Sequence, residues 1–259
     1  MRKLVVAFVG VVLLAAPVAQ AQEAGNPPLP RPYWSFEGPF GTFDRGALQR
    51  GFQVYNEVCS NCHSLNLLTY DDLGPNGPGG GLGYNENQVK AIAAERQTTA
   101  GPNAQGDMYQ RPARPSDHFV PPYPNEQAAR YAHNGALPPD LSVIVYAREG
   151  GPNYVYGILT GFKKPPPGFK LRTNMNYNLY FPGNQIAMPP PLLGDDVHYA
   201  DGTKATVDQE AHDVVTFLAW AADPHMETRK RTGAKVIIFL LAMTGVLYGA
   251  KRRIWANVH

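Results

Sequence analysis

From Gly233 to Ala250 the chain is almost continuously apolar, its one charge being Lys235 near the start. A run of that length reads as a single membrane-spanning helix, with Lys235 free to snorkel toward the interface. Arg229, Lys230 and Arg231 precede it and Lys251, Arg252 and Arg253 follow it, so basic charge alone does not orient the span. The other end does. Arg2 and Lys3, the apolar stretch Leu4 to Ala16 and the small-residue pattern Ala19-Gln20-Ala21 form a secretory signal. The expectation is therefore a signal peptide over residues 1–21, an exported body over 22–228, an anchor over 229–252 and a cytoplasmic tail over 253–259.

Charge sharpens the picture of the body. Nine of the 23 basic residues lie in the leader or from Arg229 onward, whereas all 21 acidic residues lie between them. Fourteen cations against 21 anions make the body acidic. That excludes nucleic acid as a partner and suits either a basic partner or plain solubility. At roughly two hundred residues the body can bury a real core without disulfide staples.

Residues 23–43, rich in Pro, Gly and aromatics, read as an extended segment packed over that core. Asp44 then caps a helix that places Leu48, Phe52, Tyr55 and Val58 on one face and ends at two cysteines. The glycine run near Gly79 lacks a phosphate-loop pattern and reads as a turn-rich loop. A short helix follows in "NENQVKAIAAERQ", then a polar surface excursion from Thr98 to Pro124. Further helices are predicted from Glu126 to Asn134-Gly135, after a cap at Asp140 or Ser142, in "NYVYGILTGF" up to Gly161, and in the strongly apolar "VDQEAHDVVTFLAWAADP". Three prolines after Met188 rule out a helix interior there. No strand ladder stands out, so the expected fold class is mainly α.

The only cysteines are Cys59 and Cys62, with His63 directly after. A disulfide across two residues would remove little unfolded-state entropy. Zinc needs about four ligands, and the chain offers no second cysteine pair and no paired-histidine spacing. A thioredoxin-like dithiol sits at a helix N-terminus, whereas this pair ends a helix. C-x-x-C-H is the signature of covalent haem c: both thiols become thioethers and the imidazole of His63 binds iron. For the sixth position the body offers Met108, Met175, Met188 and Met226, and His118, His133, His198, His212 and His225. Met188, in its proline-held loop, is the leading candidate. A His/Met pair suits electron transfer, while bis-His ligation or an open site would suit other chemistry.

"RGFQVYNEVCSNCHS", "NGALPPDLS", "FPGNQIAMPPPL" and the single C-terminal anchor together resemble the cytochrome c1 family, the haem-bearing subunits of cytochrome bc1 complexes, in a bacterial form. The likeness runs from about Tyr33 to the end. It implies a class I cytochrome c-like haem domain with long Pro/Gly-rich loops. It makes His63 the proximal ligand and Met188 the distal one, and places Arg148 and Tyr154 at the haem edge, Arg148 pairing a propionate. Pro139 would pack on the haem and Asn134 would hydrogen-bond near the pocket. The implied role is a one-electron relay from the Rieske iron-sulfur subunit, beside cytochrome b, to a soluble c-type cytochrome. No bond is made on this chain, and the haem domain would face the periplasm from the bacterial inner membrane. An anchored monohaem cytochrome feeding a terminal oxidase is the alternative. Two departures stand out: no spare cysteines for the extra disulfide of some relatives, and none of the strong acidic blocks that others carry.

Overall fold

In the computed structural model the described residues are 27–256, so the leader expected over residues 1–21 lies outside them. Their regular structure is six α-helices, four short 3-10 helices and two small antiparallel ribbons, a mainly helical chain as expected.

Helix α1, Arg45–Glu57, starts where Asp44 accepts hydrogen bonds from the backbone N–H groups of Gly46 and Ala47. Its inner face buries Leu48, Phe52 and Tyr55. Val58, just past its end, is only partly buried. Helix α2, Glu86–Ala94, opens on a reciprocal cap between Asn85 and Gln88. Helix α3, Glu126–Ala132, ends at Asn134 and Gly135, both with positive φ. Helix α4, Gly151–Thr160, has Pro152 in its first turn. Helix α5, Val207–Ala222, is capped by Thr206 and buried on nearly every side.

Helices α1 and α5 cross at the centre of the body. Phe217 of α5 meets Phe52 at 5.6 Å and Tyr55 at 5.7 Å between ring centroids. Each such ring contributes about 1.5–3 kcal/mol by leaving water. Where the backbones touch stands Gly51: a Cβ there would fall 2.0 Å from the Asp213 carbonyl oxygen. Arg50 closes the joint with Nε and Nη2 on the buried Asp213 carboxylate at 2.8 and 3.1 Å, and Nη1 on Asp201 at 2.7 Å. The extended segment does pack down: Trp34 and Phe36 are buried, and Trp34 stacks on His212 of α5 and donates to Asn153 of α4.

Two expectations are corrected. The excursion after Thr98 contains a ribbon of β1, Gln97–Ala100, against β2, Tyr109–Pro112. The stretch after Asp140 is a series of turns, not a helix, because the Asp140 carboxylate is engaged far along the chain, as described below. A second, two-residue ribbon pairs β3, Asn176–Tyr177, with β4, Gln185–Ile186.

Helix α6, Met226–Ile254, follows α5 after only Asp223, Pro224 and His225. It is long and apolar enough to cross a membrane, and none of its apolar window is buried within the protein.

Inside α5, Glu210 is fully buried, with Oε1 accepting from the Asp196 N–H and Oε2 without a hydrogen-bond partner. Burial, then the Asp196 charge, push its carboxyl up to about 7, against the pull of the backbone N–H groups. A carboxyl whose folded pKa exceeds its unfolded one stabilises fully below the unfolded value and loses that contribution as pH rises through the folded one. Glu210→Gln should therefore melt with the wild type at pH 4 and several degrees above it at pH 8, at about 2–4 °C per kcal/mol. A difference that does not change with pH would overturn this.

Candidate functional site

The Cys59-to-His63 turn is built by local hydrogen bonding. Past α1 the backbone tightens into a 3-10 turn over Cys59–Asn61, and the N–H groups of Cys62 and His63 both donate to the Cys59 carbonyl, at 3.1 and 2.9 Å. Arg96 braces it from outside, donating to the Asn56 carbonyl at 3.0 Å and to Ser60 Oγ at 2.9 Å. Ser60 Oγ in turn donates to the Asn56 carbonyl, and Asn61 Nδ2 to that of Glu57. The two thiols therefore project from one rigid turn at the end of a buried helix.

Both are free thiols. Burial, reinforced by Cys62, pushes Cys59 up to about 12, and burial raises Cys62 as well. A redox dithiol needs an accessible thiolate, and the burial of Cys59 disfavours one. Among the described residues no group of three or more His, Cys, Asp or Glu side chains could hold a metal ion.

His63 points elsewhere. Its Nδ1 lies 2.8 Å from the Pro139 carbonyl oxygen. A carbonyl can only accept, so Nδ1 carries the proton and Nε2 keeps its lone pair. Burial lowers the ring's pKa, partly offset by that hydrogen bond, which keeps the imidazole neutral. An oriented, neutral imidazole with Nε2 bare is the form that ligates a metal.

Asp140 holds the Pro139 carbonyl in place. Its Oδ2 accepts from Ser64 Oγ and Asn66 N, each at 2.8 Å, and its Oδ1 from Ser142 N at 2.9 Å. Leu141 N adds a bond to the Ser64 carbonyl, and Ser142 Oγ accepts from Leu67 N. Burial alone would raise the Asp140 pKa; the donors from Ser142, Asn66 and Ser64 outweigh it and hold the carboxyl below its usual value. Asp140 thus staples the two segments on which His63 and Pro139 ride. The sequence offered it only as a helix cap.

Met188 sits two residues past β4 in irregular, partly buried backbone, and its carbonyl accepts from Asn176 Nδ2 at 3.3 Å. The methionine loop hangs from α4. Asn178, fully buried, donates from Nδ2 to the Ile158 carbonyl at 2.8 Å and accepts from Tyr180 N at its Oδ1. Leu179 N reaches the Gly161 carbonyl, and Asn184 donates to the Asn178 and Leu179 carbonyls. Gly161 must stay glycine, since a Cβ there would lie 2.6 Å from the Tyr180 ring.

Arg148 and Tyr154 flank the left-handed Gly150 turn that leads into α4. Arg148 is exposed, its guanidinium donates to the neighbouring Ala147 carbonyl, and among the described residues it forms no salt bridge. Tyr154 is partly buried in the first turn of α4. Asn134 is exposed and ends α3 in the left-handed conformation, its neighbour His133 contacting Tyr123 Oη at 2.9 Å.

Two neutral thiols on one turn, followed by an imidazole with its distal nitrogen bare, fit a covalently held haem. Sequence reading missed Arg96, Asp140 as a staple, and Asn178. Of these only Asp140 had any signal, as the one charge in "NGALPPDLS".

Comparison with known proteins agrees. The chain is 44% identical over 265 residues to cytochrome c1 of Rhodospirillum rubrum, covering 96% of this chain and 95% of that one. It is 47% identical over 230 residues to "Cytochrome c1 1, heme protein, mitochondrial" of Arabidopsis thaliana, covering 87% and 72%. Against "Cytochrome b/c1" of Bradyrhizobium diazoefficiens it is 46% identical over 281 residues, 98% of this chain but 40% of that longer protein. With residues 34–258 matching the Cytochrome C1 family, from the buried Trp34 through the haem motif, the methionine loop and α6, the chain belongs to that family.

Proposed function

We propose that this chain is the haem-bearing electron-transfer subunit of a cytochrome bc1 complex. It takes single electrons from the Rieske iron-sulfur subunit, beside cytochrome b, and passes them to a soluble c-type cytochrome. Family membership supports this, and one contact carries it: the 2.8 Å bond from His63 Nδ1 to the Pro139 carbonyl, which leaves Nε2 bare. On this reading Cys59 and Cys62 bear the haem as thioethers, and His63 and Met188 are the axial ligands. When bound, haem c with His/Met ligation supplies a one-electron couple of raised potential that is closed to small ligands.

The chain's part is positional. The Asp140 staple holds the imidazole's partner carbonyl, burial keeps the ring neutral, and Asn178 holds the backbone that presents Met188. Arg148 is assigned to a propionate, with Tyr154 beside it at the start of α4, while Pro139 and Asn134 belong to the pocket rim. The haem domain, residues 22–228, stands in the periplasm on the span over 229–252, with residues 253–259 in the cytoplasm. An acidic body favours a steered, short-lived encounter with a basic acceptor. The exposed cations Lys163, Lys164, Lys170 and Arg172 exclude their own loop as the landing site.

Extraction of membranes in mild detergent tests the reading. The chain should purify with a b-type cytochrome and an iron-sulfur protein, and quinol should reduce its haem only while the iron-sulfur protein is present. A cytochrome that purifies alone, or that quinol reduces without that protein, would sink it.

A further inference from the structure

Phe40 is the one phenylalanine of its segment left outside. Phe36 and Phe43, on either side, are 7% and 6% exposed; Phe40 is 86% exposed. It sits at the tip of a turn shaped by Gly38, at φ +74°, and by Gly41, where a Cβ would fall 2.0 Å from the Glu37 carbonyl oxygen. That turn is tied to the base of α6. Lys230 Nζ donates to the carbonyls of Phe36 at 2.7 Å and Gly41 at 3.2 Å. Glu227 accepts from Phe43 N at 2.7 Å and pairs with Arg45 at 2.9 Å. Phe40 is therefore held at the level of Lys230 along the helix axis.

Helix geometry places that level against the bilayer. From Lys230 to Trp255 α6 rises about 38 Å at about 1.5 Å per residue, close to the roughly 40–45 Å of a bilayer with its headgroups. The uncharged run Val236 to Ala250 is only about 22 Å long, short of a hydrocarbon core of about 30 Å. The turns bordering it must therefore enter the membrane's edge, with Lys230 in one interfacial layer and Trp255 in the other. Trp255, 58% exposed, is an interfacial aromatic for its side. On the opposite side α6 has no aromatic residue before Phe239. The turn at Phe40 brings one there in space.

We propose that Phe40 is a membrane foot: its ring inserts at the headgroup and acyl boundary beside α6, giving the exported body a second contact with lipid that fixes its orientation over the span. The proposal rests on reading α6 as a span. An apolar ring in this layer is favoured, as on the apolar face of interfacial helices.

A nitroxide on Phe40→Cys in the full-length, haem-loaded chain in phosphatidylcholine vesicles tests it. With Cys59 and Cys62 consumed as thioethers the added thiol is unique, and the wild type should take up no label. Collisions with oxygen, which partitions into lipid, should exceed those with a water-soluble nickel chelate, in contrast to a label on the exposed Gln105→Cys. Equal access to the chelate at both sites would place Phe40 in water and overturn the proposal. Shielding from both reagents would place it against protein, and would overturn it too. A Leu241→Cys label separates the two readings: lipid-facing at 241 but water-facing at 40 removes only the foot, whereas water-facing at 241 removes the span and the foot together.

Discussion

Met188→Leu should lower the reduction potential of the haem-loaded chain by on the order of 100 mV while lowering its melting temperature by only a few degrees. The two parts have separate causes. A soft thioether favours the reduced metal, and for one electron each tenfold change in relative affinity for the two oxidation states moves the potential by about 59 mV. Loss of such a ligand at two decades of preference gives the stated size. Stability is largely spared because leucine nearly matches methionine in volume, at a cost below about 1.5 kcal/mol. The loop itself is held by hydrogen bonds of Asn178 and Asn184 and by the β3–β4 pairing, all made without the Met188 side chain. Optical spectra should lose the sulfur-to-iron charge-transfer band, and the reduced variant should bind carbon monoxide where the wild type does not. An unchanged spectrum would refute Met188 as the ligand. Asn178→Ala is the informative contrast, since it strips partners from the buried Ile158 carbonyl and from Tyr180 N. It should cost about 1–3 kcal/mol for each buried group left unmet, lowering the melting temperature before it alters the resting spectrum.

That contrast also marks what could be read from the sequence. The helices were legible because their signals are local: Asp44, Asn85 and Thr206 cap them, and a 3.6-residue apolar period runs between. The haem motif was legible because two thiols and an imidazole on one turn have few other uses. Asp140 misled for the opposite reason. Asp-Leu-Ser has the form of a helix start, but its carboxylate is engaged by Ser64 and Asn66, contacts that no local pattern encodes. The β1–β2 ribbon stayed hidden because its strands carry no apolar alternation; Thr98, Thr99, Gln110 and Arg111 pair across it with no core face to bury. Asn178 left no trace at all, being one asparagine among several in an irregular loop. Gly51 did leave a trace, for a glycine inside a helix sacrifices about 1 kcal/mol against alanine and something must compensate.

That compensation sets up the last expected result. Gly51→Ala should destabilise the protein by about 3 kcal/mol or more, although helix propensity alone predicts a gain of about 1 kcal/mol. The new Cβ would lie 2.0 Å from the Asp213 carbonyl oxygen and 2.8 Å from Phe217 Cβ, and the nearer atom is backbone, which no rotamer change can move. Helices α1 and α5 must separate, which lengthens the Arg50 contacts to a carboxylate with no exposed surface and parts Phe52 from Phe217. Leaving a buried charge short of its partner is the costlier share. At about 2–4 °C per kcal/mol for a body of this size, the melting temperature should fall by roughly 10 °C. Gly46→Ala, earlier on the same helix, should cost far less. Its Cβ would lie 3.3 Å from Arg50 Nη1 and from Asp44 Oδ1, side-chain atoms that need give only a few tenths of an ångström, and the helix-propensity gain offsets the disturbance of their contacts. Equal melting of the two variants would show that the α1–α5 joint yields. A large loss confined to Gly51→Ala would show that the crossing, and not the helix, is what Gly51 serves.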